Sequence, residues 1–201
     1  MKTPFDEKNK DFTDRAHEAA REQVYPHLFS GDDRITDFTW TAAEEGGFLK
    51  ELDTQYGVDL IIHVDVPEVG VNVPVYVQER FRRPEYRHNQ DITVTTVNNA
   101  SGQPSELSKI AAQQFIYGYY EPRLNEIQEA VCVNVPVMLR QIIDGRLASG
   151  SKQNEKQQDF ITITFDELKE SGALSLHLDR TQSSSAPVVV DQREDITAYG
   201  R

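Results

Sequence analysis

A single cysteine, Cys132, stands in the whole chain, so no disulfide can close within it. It lies inside the apolar run from Ala130 to Leu139 and reads as a buried thiol with a packing role. No apolar run approaches the roughly 20 residues of a membrane-spanning helix. The N-terminal MKTPFDEKNKDF lacks the apolar core of a secretory signal,. A soluble, cytoplasmic protein with no membrane association is the expectation. Lysine is scarce, at 8 residues against 13 arginines, and 33 acidic residues against 21 basic ones give a net charge of −12. This acidic, lysine-poor composition resembles that of halophilic proteins, and an ordinary acidic cytosolic protein shares it. It argues against diffuse attraction to DNA, so any nucleic-acid contact needs a local basic patch. In strong salt, counterion release would add little, leaving shape and metal contacts to carry affinity.

Other absences narrow the chemistry. There is no glycine-rich phosphate loop and no GxSxG elbow, which removes support for ATP use and acyl transfer. His17, His27, His63, His88 and His177 are scattered without zinc-type spacing,. No helix-turn-helix, zinc-finger, coiled-coil or repeat pattern is present.

What remains is the pattern of a mixed α/β domain. The 201 residues suit one domain, placed at 1–181 with a core over about 40–135 and a loose tail over 182–201. The patterning predicts a helix over 11–29 ended near Pro26, a strand over 35–41 and a short helix over 42–53, where Glu44 and Glu51 would share a face. Strands follow over 58–66, 73–82 and 91–97, with the basic loop RRPEYRHNQ before the last. Ser105 is placed to cap a helix with Glu106 in its first turn. After about Gln113, QFIYGYY either continues the helix or begins a strand, with Gly118 favouring the strand, and a further strand is expected over 130–138, where Pro136 suggests an edge or bulge. A short helix over 139–147, a polar loop, and a strand passing into a helix closed by Gly172 complete the order. The expected class is α/β, a mixed β-sheet flanked by helices.

The stretch from Asp53 to Arg83 organises the functional reading. Asp59 follows Gly57 and opens one strand; Gln78 and Arg80 lie near the end of the next. Side chains alternate along a strand, so Gln78 and Arg80 point one way and Glu79 the other. A carboxylate, an amide and a guanidinium brought together would suit a metal and a phosphate. Arg80, Arg82, Arg83 and Arg87, interleaved with Phe81, Tyr86 and His88, form the basic cluster. Guanidinium groups bind phosphates and aromatic rings stack on bases. A solvated, salt-bridged loop fits the same residues.

The order of acid-initiated strand, turn, strand with (E/Q)-x-K, then strand and helix, resembles the PD-(D/E)XK nuclease superfamily. GVDLII supplies the acid, VYVQERFRR the second half, and DITVTTVNNASGQPSELSKIAAQQFIYGYY the completing strand and helix. The resemblance covers roughly residues 40–135 and implies a restriction-endonuclease-like core. Asp59 would then be a metal-binding carboxylate, Gln78 would replace the second acid, and the main-chain carbonyl of Glu79 would be a further ligand for Mg²⁺ or Mn²⁺. Arg80 stands where the family usually has lysine. A guanidinium stays charged and stabilises a phosphate but does not act as a base. Lys109 is the candidate for the missing ammonium, with Asp53 and Glu51 as further acids. Arg82, Arg83 and Arg87 would contact nucleic acid. DNA is the implied partner, and a homodimer is left open. A catalytically weakened relative that binds nucleic acid or protein, and a structural or assembly protein, are the competing readings.

Overall fold

Strands that are apolar on both faces belong in the middle of a sheet covered on two sides, and QFIYGYYE and EIQEAVCVN meet that description. The computed structural model describes residues 4–29, 34–41, 47–98, 105–147, 151–153, 158–181 and 188–189. In it these segments form β5 (Gln114–Glu121) and β6 (Glu126–Asn134), near the middle of a seven-stranded sheet. The sheet runs β1 (Ile35–Trp40), β2 (Leu60–Val66), β3 (Val71–Arg82), β5, β6, β9 (Leu174–Asp179) and the two-residue β10 (Val188–Val189). Neighbours are antiparallel except β3 and β5, which are parallel. Parallel neighbours need a crossover connection. Here it carries β4 (Asp91–Asn98) and the one-turn helix α3 (Glu106–Lys109). β4 pairs with β8 (Gln158–Thr164), which pairs with β7 (Ser151–Gln153), making a second sheet of three strands.

The main sheet is covered differently on its two faces. Helix α1 (Pro4–Gln23) lies on one. Ala16, Ala19 and Ala20 recur at helical spacing, and with Val24 they are buried against Leu60, Ile62, Ile116 and Tyr120,. Alanine favours the helix and lets it approach the sheet closely. Pro26 falls in the 3₁₀ turn Tyr25–His27 that follows α1. On the other face, Phe115, Tyr117, Tyr119, Val131 and Val133 pack with Ile92, Val94, Ile161 and Ile163 of the second sheet. Fully burying each of these side chains is worth roughly 1.5–3 kcal/mol. Helices α2 (Gly47–Tyr56), α4 (Val135–Ile143) and α5 (Phe165–Glu170) border this second core. A capping box at Thr164 and Glu167 starts α5, and Gly172, at φ +72°, follows it.

The class is mixed α/β, as the patterning indicates, with several differences in detail, among them β7 within the expected polar loop. The predicted strand over 91–97 joins the second sheet rather than the main one, because its partner is β8, far along the chain. Pro136 marks no strand edge; Asn134 caps α4 and Pro136 occupies its first turn, where its missing N–H costs nothing,. The segment SLHLDR, assigned no element in the sequence reading, contributes β9, which alternates buried and half-buried residues. Two residues of the predicted tail, Val188 and Val189, pair with β9, while 182–187 and 190–201 lie outside the described residues, as does Glu44. No helix among the described residues is long and apolar enough to cross a membrane.

Candidate functional site

β3 outruns β2. The two pair from Val66 opposite Val71 to Leu60 opposite Val77, and β3 continues to Arg82 with β5 on its other side. Asp59 sits where β2 begins. Its N–H donates to the Val77 carbonyl at 2.9 Å, and its own carbonyl accepts from the Thr41 N–H at 3.1 Å. This leaves the carboxylate beside the part of β3 that β2 does not cover. The Glu79 N–H donates to Asp59 Oδ2 at 2.7 Å, and Gln78 Nε2 donates to the same oxygen at 2.8 Å.

The chain arrives there through Gly57, in the left-handed region at φ +56°. A Cβ at this position would lie 2.8 Å from Gln78 Oε1. Glycine therefore both permits the turn from α2 into β2 and leaves room for the amide. The bend encloses a cavity of about 300 Å³ lined by Asp53, Asp59, Gln78, Arg80, Glu106 and Lys109, with Gly57, Thr95 and Gln158 completing it.

Each cation in the cavity is held. Arg80 Nη1 donates to the Thr93 carbonyl at 2.9 Å. Its Nη2 lies 2.8 Å from Glu106 Oε1, close enough for the charges to attract although no hydrogen bond reaches that oxygen. Glu106 Oε2 accepts from the Thr95 N–H at 3.1 Å. Lys109 Nζ donates to the Thr54 carbonyl near the end of α2 at 3.2 Å, and Lys50 pairs with Asp53 at 2.6 Å. Three acids and two cations thus face one small volume. Burial is the main force raising the Asp59 carboxyl, to about 7. The Glu79 N–H pulls it down, the Glu79 charge pushes up, His17 pulls down and Asp53 pushes up.

Glu79 sends its side chain to the opposite face, as alternation requires. There, fully enclosed, it bonds both His17 and the Tyr25 hydroxyl. Burial pulls His17 down, but the Glu79 hydrogen bond and charge outweigh it, and the ring is raised overall. Burial, with the Glu79 charge, pushes the Tyr25 hydroxyl well above its usual value. A second hollow of about 640 Å³ opens on this helix face, lined by His17, Arg21, Trp40 and neighbours on α1, and it too reaches Asp59.

The four residues assigned to catalysis from sequence, Asp59, Gln78, Arg80 and Lys109, therefore line one cavity. Asp53 joins them; Glu51 does not, and borders a separate hollow with Phe48, Tyr56 and Tyr76. Arg82 ends β3 and Arg83 follows it. Arg87 is placed elsewhere: its Nε is 2.6 Å from the buried Glu129 and its Nη2 is 2.9 Å from Asp179. A phosphate there would have to displace two carboxylates, so the structure gives Arg87 a role in packing charge between elements. Glu106 and His17 were not singled out from sequence. Glu106 carried only the signal of a first-turn acid, while His17 was marked by sitting beside Ala16 and Ala20 on the inward stripe of α1.

A hard cation can be tested against the oxygens present. Gln78 Oε1 is buried without a hydrogen-bond partner, and both bonds to Asp59 end on Oδ2, leaving Oδ1. These are oxygen donors of the kind Mg²⁺ and Mn²⁺ prefer. Among the described residues, no three His, Cys, Asp or Glu side chains gather for a metal. The donor set fits a hydrated cation held at one side rather than a fully caged one. Glu79 presents its N–H to Asp59, and the carbonyl of a strand residue leaves by the same edge as its N–H, so this edge also carries the Glu79 carbonyl. Comparison with protein-family models, with curated proteins and with solved structures finds no match for this chain.

Proposed function

We propose that the protein is a metal-dependent, endonuclease-like hydrolase of DNA phosphodiester bonds, built on the PD-(D/E)XK plan with Gln-x-Arg in place of Glu-x-Lys. The observation that carries this reading is the convergence of Asp59, Gln78, Arg80 and Lys109, from three separate elements, on one cavity beside an orphaned amide oxygen. The strand order supports it, since the acid opens the strand antiparallel to β3 and the next main-sheet strand, β5, is parallel to β3. Asp59 and Gln78 would hold Mg²⁺ or Mn²⁺, which when bound polarises a phosphate and its attacking water. Arg80 faces the same volume and neutralises charge building on the phosphate oxygens. Lys109, on α3, lines the same cavity and adds an ammonium to it. Glu106 orients Arg80 and offsets its charge within the cavity.

The test is incubation of the protein with plasmid, single-stranded and branched DNA plus Mg²⁺ or Mn²⁺, at low and high salt. Cleavage is expected from the wild type and none from Asp59→Ala. Cleavage that persists in Asp59→Ala overturns the assignment of this cavity. A second reading, a catalytically weakened binder of nucleic acid or protein, is favoured by one observation: Arg80 is already engaged by Thr93 and Glu106. It predicts a stable complex with DNA or a protein partner, no cleavage and no divalent-cation binding.

A further inference from the structure

Past Val77, the edge of β3 that faced β2 has no strand beside it among the described residues. The uncovered segment from Gln78 to Arg82 is roughly 13 Å long at the rise of a strand. Asp59 and its cavity stand at one end. At the other end is a groove of about 480 Å³ lined by Phe12, Phe81, Arg82, Arg83 and Tyr86, with Asn9 and Thr13 of α1. The groove lining contains two guanidinium groups and no carboxylate, in a chain whose net charge is −12. Arg83 lies over the Phe12 ring at 4.9 Å, and Arg82 over the Tyr86 ring at 5.6 Å. A guanidinium stacked on a ring keeps its N–H edge free for phosphate oxygens. Tyr86 is 47% exposed, so its ring has open surface.

We propose that this groove takes an unpaired strand of DNA, a base stacking on the aromatic side chains and its phosphate meeting Arg83, so that the strand lies along the free edge of β3 toward Asp59. The proposal rests on the nuclease reading and names its substrate form. Bases in a duplex stack on one another and present no free face, whereas single strands are held by a basic track with aromatic platforms. The separation of groove and cavity corresponds to roughly four stacked nucleotides, fewer when the strand is extended. Arg82 is also bonded to Thr93 at 2.6 Å, and its charge is felt by Asp91. Arg83 and Tyr86 are therefore the informative positions.

The experiment measures binding of a fluorescein-labelled oligothymidine and of a hairpin duplex of equal length by anisotropy, in EDTA so that no strand is cut. Tyr86→Ala and Arg83→Gln are compared with Arg140→Gln, which removes the same charge on α4. Single strand is expected to bind at least tenfold tighter than duplex. Tyr86→Ala should weaken it by at least fivefold, the lower bound for losing one base stack, and Arg83→Gln should also weaken it while Arg140→Gln does not. Equal binding of both forms, or equal effects of Arg83→Gln and Arg140→Gln, overturns the groove. Circular dichroism of each variant separates lost contact from lost fold. The groove and the nuclease reading fail separately: single-strand binding without cleavage in Mg²⁺ sinks only the latter, and cleavage indifferent to Tyr86→Ala and Arg83→Gln sinks only the former.

Discussion

Replacing Asp59 by asparagine should make the protein more stable at pH 8, although the residue is the centre of the proposed site. The carboxyl is raised from 3.8 to about 7, chiefly by burial. The folded chain therefore holds this proton more tightly than the unfolded chain does. As pH rises from about 4 to about 7 the folded state binds more protons, so stability falls across that window and the loss is complete above it. A change from 3.8 to about 7 corresponds to about 4 kcal/mol if all of it reaches the folding equilibrium. Contact with water in the cavity screens part of this, leaving about 2 kcal/mol. Asparagine carries no charge at any pH. Its oxygen can still accept from the Glu79 N–H, and its amide can donate to Gln78 once that side chain turns its orphaned oxygen inward. Urea unfolding of wild type and Asp59→Asn at pH 4 and pH 8 checks this. The two should match at pH 4, and the variant should lead by about 2 kcal/mol at pH 8. Adding Mg²⁺ at pH 8 should then raise the stability of the wild type and leave the variant unchanged, since a cation bound only by the folded state stabilises by mass action. Parallel profiles for the two proteins would refute the reasoning, because the carboxylate would then carry no burial penalty for a cation to relieve.

Three further outcomes follow from the geometry. Gly57→Ala should destabilise by about 1–3 kcal/mol, through the left-handed backbone and the new Cβ against Gln78, and should lose cleavage beyond what stability explains; retained kcat would show that the amide needs no fixed position. Arg80→Lys should raise the cleavage rate at least tenfold, with a pH profile that gains a basic limb; an unchanged rate would mean that the cavity lacks more than an ammonium. Arg87→Ala strands Glu129 in the interior with only Gln90 and His177 at 2.8 Å each, so thermal unfolding should report a loss of about 3–5 kcal/mol, while Asp179→Asn should cost much less.

The site was legible where it depended on alternation and nearby spacing. Asp59 stands just before β2, and β2 is joined by a tight turn to β3, where the shared side of Gln78 and Arg80 follows from a period of two,. Lys109 carries no local sign of its place, because nothing in the sequence says that α3 docks on the end of α2. Glu106 shows in the sequence only as a first-turn acid, whereas its partners, Arg80 and the Thr95 N–H, lie on β3 and β4. The second sheet was hidden for the same reason: DITVTTV reads as a strand at any location, and its pairing with FITIT is decided by long-range burial. β9 was different. Leu174, Leu176 and Leu178 alternate cleanly with Ser175, His177 and Asp179, and that signal was available. The misplaced Pro136 shows a β-branched run overriding a helix start that Asn134 had already announced.

Asp59 stands at a split between two strands, reached from the helix side and from the strand side alike. One negative charge consequently serves two chambers. A proton, a cation or an ammonium arriving from either layer silences it for the other, so occupants of the two hollows are rivals for the same oxygen pair even when they never touch. His17, whose charge already lowers the Asp59 carboxyl, stands on the helix side, and Lys109 lines the cavity on the other.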